Sequence, residues 1–178
     1  MAKLMSSLFL VLLLVLSMTA FSAQAAPVEQ VGSEKIIHLT YYATVIPYGP
    51  NATVVPVAGI AGKLWALNTF GTIFVGDVPL TVGPSTYSPK VGQVRGLSVV
   101  LSKDNDGSVR HLSTSVTFTN KEYNGSTLQI QGIFNSRQGS VLSIVGGTGK
   151  FEGARGSAFL QQYSNSIIRH TYKFKLLK

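Results

Sequence analysis

Alternation with a period of two is the feature that most constrains what this sequence can fold into. Ile36, His38, Thr40, Tyr42, Thr44 and Ile46 stand on one phase, and Ile37, Leu39, Tyr41, Ala43 and Val45 on the other. Successive side chains of an extended chain point to opposite faces, so such a run predicts a half-buried strand. The same pattern recurs at Leu112, Thr114, Val116 and Phe118, at Leu128, Ile130, Gly132 and Phe134, and at Ile168, His170, Tyr172, Phe174 and Leu176. Turn signals separate the runs: Tyr48-Gly49-Pro50-Asn51, Gly83-Pro84-Ser85, Asp104-Asn105-Asp106-Gly107, Asn124-Gly125 and Gly146-Gly147-Thr148-Gly149. Asp106-Gly107 and Asn124-Gly125 suit hairpins, because glycine tolerates the positive φ that tight turns require. Short strands joined by such turns predict an antiparallel sandwich or a closed barrel, and the pattern leaves both open.

The N-terminus reads differently. Lys3 supplies a positive start, Leu8 to Leu16 an apolar centre, and Ala23-Gln24-Ala25 a small-residue cleavage motif. Residues 1–25 are therefore expected to be a secretory signal peptide, cut after Ala25 or Ala26, with 26–35 a flexible leader and 36–178 the folded domain. The apolar stretch is shorter than the roughly 20 residues of a membrane-spanning helix, so no membrane span is expected. The 178 residues include no cysteine, which excludes disulfides, thiolate metal sites and cysteine nucleophiles. The formal net charge is +8. Its cations are dispersed rather than striped along a helix, and a secreted chain meets little nucleic acid, so nucleic acid is not an expected partner. Attraction to an acidic polysaccharide or a solvated strand face accounts for the charge.

Few motifs carry chemistry. Asn51-Ala52-Thr53 and Asn124-Gly125-Ser126 are glycosylation sequons in turn contexts, the second also readable as a hairpin turn alone. Val145 to Lys150 is glycine-rich, but Lys150 is followed by Phe151 and a strand pattern, so it is a structural turn and not a phosphate loop. No Gly-x-Ser-x-Gly elbow occurs. His38, His111 and His170 are isolated in sequence and give no metal-ligand spacing. Asp77 shares a phase with Ile73 and Val75. It is either a cavity-facing acid with a raised pKa or a structural carboxylate, with Arg155 a possible partner.

Four blocks resemble the plant dirigent protein family: Phe70 to Thr81, Ser88 to Gly96, Glu122 to Leu128 and Val145 to Gly156. The resemblance spans about Ile36 to Lys178. It implies an eight-stranded antiparallel β-barrel, a homo-oligomer (dimer or trimer), secretion to the apoplast, N-glycosylation at Asn51 and Asn124, and no cofactor or metal. It implies stereoselective coupling of phenoxy radicals, such as those of coniferyl alcohol, generated by an external laccase or peroxidase. The alternatives are a cell-wall or defence protein that organises lignin deposition, and a cyclase or dehydratase on the same barrel. Acidic cell-wall polysaccharide is the candidate partner for the positive charge, with a solvated strand face the alternative.

The sequence departs from the lignan-forming pattern. Thr44 stands where those relatives carry an acid at the end of the first long strand, and Ser98 and Val100 where they carry paired tyrosines. A hydroxyl hydrogen-bonds a phenol but does not serve as a carboxylic acid. The candidate substrate-binding residues are Tyr42, Thr44, Ser98, Val100 and Phe134, with Asp77 the candidate acid. The chain is thus expected to hold reactive phenolics rather than to transform them with its own side chains.

Overall fold

A computed structural model describes residues 36–104 and 106–177. The expected signal peptide and leader lie outside these residues. The described residues form nine strands: β1 (Ile37–Thr44), β2 (Val54–Ala58), β3 (Ile73–Thr81), β4 (Lys90–Val100), β5 (Val109–Phe118), β6 (Thr127–Asn135), β7 (Ser140–Thr148), β8 (Ala154–Ser164) and β9 (Ile167–Leu176). Each pairs antiparallel with its neighbour in the order β1-β9-β8-β7-β6-β5-β4-β3-β2. Tyr42 and Ala43 also pair with Thr81 and Leu80, which joins β1 to β3 and closes a ring of eight strands. The short β2 lies against the first half of β3, outside the ring. This is the barrel that the resemblance implied; the sandwich is excluded because closure leaves the ring without an edge.

Alternation fills the interior. Leu39, Tyr41 and Ala43 of β1, Phe74, Val78 and Leu80 of β3, and Tyr172 and Phe174 of β9 point inward, and the intervening residues point out. One end of the barrel is sealed by aromatic rings. Phe118, at the end of β5, lies 5.2 Å from Phe151 and 6.0 Å from both Tyr41 and Tyr123, centroid to centroid, and Phe151 lies 5.1 Å from Phe174. Phe118 and Phe151 are fully buried, and edge-on ring packing adds to the stabilisation from area alone. Phe151 reaches the seal from a single 3-10 turn, Gly149–Phe151, between β7 and β8. The glycine-rich block is thus a connection between strands.

Strand curvature needs a residue without a side chain at close contacts. A Cβ on Gly96 would sit 2.2 Å from the Ser113 carbonyl oxygen of the paired strand, so glycine lets β4 and β5 bend around the interior there.

Candidate functional site

Opposite the aromatic seal, the barrel holds a half-open cavity of about 240 Å³. The strands alone do not enclose it. Pro47, Leu67, Gly107, Ser136 and Asn165 come from five connections at that end and line its mouth. Ala43, Phe74, Val78, Val94, Leu112 and Phe134 supply apolar wall from five strands and more. An apolar concavity with a few fixed polar groups is the usual form of a small-molecule site.

Two of its polar groups are firmly held. Arg110 opens the inward phase of β5, two residues before Leu112. Its Nε donates to the Gly107 carbonyl at 3.1 Å and its Nη2 to the Leu67 carbonyl at 2.6 Å. The guanidinium carbon lies 5.4 Å from the centre of the Phe74 ring, a favourable cation–ring contact. Burial pushes its pKa below the usual arginine value, yet a guanidinium stays charged in a protein. The turn beneath it is braced by Asp106, whose Oδ1 accepts the Ser108 N–H at 2.9 Å and whose Oδ2 pairs with Arg137 at 3.0 Å. The Ser108 N–H above all lowers the Asp106 pKa to about 2. Gly107, at φ +63°, makes this turn possible and passes close to the Leu67 carbonyl.

The second group is His170 of β9. It is 5% exposed and lines the cavity. Burial lowers its pKa to about 4, so the ring is neutral at pH 7. Nδ1 lies 2.9 Å from the Tyr172 hydroxyl oxygen. Tyr172 is fully buried, and Nδ1 is the acceptor within reach of its O–H among the described residues. A buried hydroxyl needs an acceptor, so Tyr172 donates to Nδ1 and the ring proton sits on Nε2. Arg110 and His170 therefore both present N–H donors. Ser98 and Thr114 add hydroxyls to the wall, and among the described lining residues there is no carboxylate.

The sequence-derived candidates fall in different places. Ser98 and Phe134 line the cavity. Val100 shares the phase of Ser98 but is fully buried and forms no part of the cavity wall. Tyr42 and Thr44 do not face the interior, which corrects the expected phase of β1: Ala43 and Val45 line the cavity instead. A one-residue shift in phase moves every side chain to the other face. Tyr42 packs edge-on against Tyr163 at 5.4 Å, and Tyr163 is half exposed. Thr44 is buried, with its carbonyl accepting from the Thr53 hydroxyl at 3.3 Å.

Asp77 is corrected too. Phe74, Val78 and Leu80 form the inner phase of β3, so Asp77 stands on the outer face beside Arg95, with Nε to Oδ1 at 3.1 Å and a further hydrogen bond from Gln93. Both side chains of the pair are more than half exposed, at 58% and 57%. Arg155 is exposed as well and donates to its neighbour's carbonyl, on Ala154, at 2.8 Å. Asn51 and Asn124 are exposed in turns, while the sequon residue Ser126 is buried and its Oγ accepts the Lys150 N–H at 3.0 Å.

Sequence reasoning missed Arg110 and His170 as site residues. Both signals were present: Arg110 extends the inward phase of Leu112, Thr114 and Val116, and His170 lies between Ile168 and Tyr172 on an apolar phase.

Comparisons with known proteins agree with this architecture. The family model described as Dirigent-like protein matches residues 36–176. Pterocarpan synthase 1 of Glycyrrhiza echinata is 36% identical over 155 residues, which cover 86% of this chain and 81% of that protein. Dirigent protein 1 of Arabidopsis thaliana is 37% identical over 158 residues, covering 86% and 83%. Among solved structures, a pterocarpan synthase dirigent protein superposes with a TM-score of 0.73 at 33% identity, covering 84% of this chain and 89% of that one.

Proposed function

The chain belongs to the dirigent family, and from that premise we propose that its barrel holds a phenolic intermediate and directs the stereochemistry of its reaction, without an acid of its own. One observation carries the proposal: the cavity combines an apolar wall with fixed N–H donors from Arg110 and His170 and, among the described lining residues, no carboxylate. Donors fixed against an apolar wall favour an oxygen on which negative charge resides or develops. The apolar wall fixes the face that an aryl ring presents. Coupling of two radicals has almost no barrier of its own, so fixing geometry suffices to select a product. In this reading the substrate is a coniferyl alcohol-type monolignol whose radicals an external laccase or peroxidase supplies, and the products are lignans.

The test is to oxidise a panel of phenols, coniferyl alcohol among them, with a one-electron oxidant, with and without the protein, and to separate the products on a chiral column. Enantiomeric excess that rises with protein concentration is expected for at least one phenol. Racemic products throughout the panel would refute the proposal.

A second reading is ring closure within one phenolic molecule, as a cyclase or dehydratase. Two observations favour it. Relatives from Glycyrrhiza echinata and Glycine max are named pterocarpan synthases. The cavity, at about 240 Å³, is smaller than the roughly 300–1,000 Å³ of typical drug-sized sites, so it suits one ring system better than two. Racemic coupling products together with stereoselective closure of a phenolic alcohol would decide for this reading.

The setting is part of the proposal. The signal-like N-terminus supports secretion to the apoplast, and exposed Asn51 and Asn124 support N-glycosylation. Homo-oligomerisation and weak attraction to acidic wall polysaccharide complete it. Intact mass of the secreted protein before and after glycosidase treatment checks both the cleavage site and the glycans.

A further inference from the structure

Arg110 brings a full positive charge to a largely apolar cavity. Among the described residues it has no carboxylate partner: the two ion pairs found there are Arg95 with Asp77 and Arg137 with Asp106. Its hydrogen bonds go to two main-chain carbonyls, those of Gly107 and Leu67. These neutral acceptors fix the guanidinium without cancelling its charge. Of the five N–H donors of an arginine, two are committed in this way and three remain. The Phe74 ring covers one face. A cation partly withdrawn from water without a counter-ion is costly, and the cost is relieved by an anion that enters with the ligand.

The rest of the cavity fits that ligand. The Nε2–H of His170 is a second donor, and Ser98, Thr114 and Ser136 contribute hydroxyls. Phe74, Phe134 and Leu112 offer the surface for an aryl ring. A phenol, with a pKa of about 10, is neutral at pH 7, whereas a carboxyl group with a pKa of about 4 is already ionised. A planar carboxylate also matches the planar array of free guanidinium donors.

We infer that the natural ligand of this cavity is an aromatic carboxylate of the hydroxycinnamate type, seated with its carboxylate on Arg110 and its ring against Phe74 and Phe134. The inference rests on the proposal that the cavity holds a phenolic compound, and it replaces the neutral alcohol of that reading with an acid.

Calorimetric titration of the purified protein at pH 7 with ferulate, methyl ferulate and coniferyl alcohol tests it. The three share one ring and differ at the end of the side chain. Ferulate is expected to bind at least about tenfold more tightly than the ester or the alcohol, the worth of a charge-assisted contact in a shielded site. Arg110→Met should reduce the difference to within about twofold, and Arg110→Lys, which keeps the charge without the planar fork, should retain only part of it. If Arg110→Met does not give the native circular dichroism spectrum, the comparison of ferulate with its methyl ester on the unmodified protein decides alone. Equal or tighter binding of the neutral compounds would overturn the inference and leave the phenol-holding proposal standing. Failure of all three to bind would overturn the inference, and the phenol panel would then decide the wider proposal. Ferulate affinity unchanged by Ala43→Phe, which fills the cavity, would place the anion on the outer surface and overturn the inference.

Discussion

His170 and Tyr172 stand on the same inward face of β9, and the Tyr172 hydroxyl donates to His170 Nδ1 across 2.9 Å. The bond fixes the imidazole as the neutral tautomer that carries its proton on Nε2. It also makes the folded protein sensitive to acid. The folded-state pKa of His170 is about 4, against 6.5 for the free side chain, because burial disfavours the cation. Between these values the unfolded chain binds a proton that the folded chain refuses, so stability falls as pH drops from about 6.5 to about 4 and this contribution then levels off. The full loss is about 3 kcal/mol. Urea denaturation midpoints at pH 7, 5.5 and 4 measure it. His170→Gln, which does not titrate, should flatten the slope in this window; an unchanged slope would assign it to other groups.

The phase of β1 makes opposite predictions for adjacent residues. Ala43 lines the cavity and Thr44 turns away from it. Ala43→Phe should fill the cavity and abolish ligand binding while the far-ultraviolet circular dichroism spectrum stays native. Thr44→Asp places a carboxylate at a site only 5% exposed. It should cost about 3 kcal/mol in stability and leave the product pattern unchanged. A new product pattern in Thr44→Asp would mean that this residue reaches the substrate.

Asp77 and Arg95 pair on the outer face, and more than half of each side chain is exposed. Solvent screens such a pair, so Asp77→Ala should change stability by no more than about 1 kcal/mol. Its rate and product distribution should match the unmodified protein. A large loss of activity with unchanged stability would return Asp77 to the list of candidate acids.

Gly107 sets the floor under Arg110. It has φ +63°, and a Cβ there would lie 2.2 Å from the Leu67 carbonyl oxygen. That carbonyl is one of the two acceptors that hold the guanidinium. Gly107→Ala should cost roughly 1–3 kcal/mol of stability through backbone strain and should weaken ligand binding by displacing the loop. Thermal melts and titrations on the same preparation separate the two effects. Binding unchanged at reduced stability would show that the Leu67 contact does not position Arg110.

Much of the fold is legible in residue alternation. The runs through Leu112 to Phe118, Leu128 to Phe134 and Ile168 to Leu176 have one clearly apolar phase, and that phase is the inner one. The turns at Asp106-Gly107 and Asn124-Gly125 fall between strands as their chemistry dictates. Closure itself is a long-range pairing of Tyr42 and Ala43 with Thr81 and Leu80, and local periodicity does not encode it. The site was less legible where both phases of a strand are apolar. In β3, Ile73 and Val75 match Phe74 and Val78 in hydrophobicity, so Asp77 could be read on either face; the bulky Phe74 and Leu80 take the interior. In β1 the match of Thr44 to an acidic family position outweighed the apolar phase of Leu39, Ala43 and Val45. Arg110 and His170 were passed over for a different reason. A charged or titratable residue on an inner phase reads as an exception until the surrounding strands enclose a cavity around it.

The central claim is that the cavity between Ala43, Phe74, Phe134 and His170 selects the stereochemistry of a phenolic product. Chiral chromatography of products formed with the unmodified protein and with Ala43→Phe, at equal concentrations and over the same phenol panel, measures it most directly. The account predicts enantiomeric excess with the unmodified protein and a racemate, equal to the protein-free control, with Ala43→Phe. Equal enantiomeric excess from both proteins would contradict it.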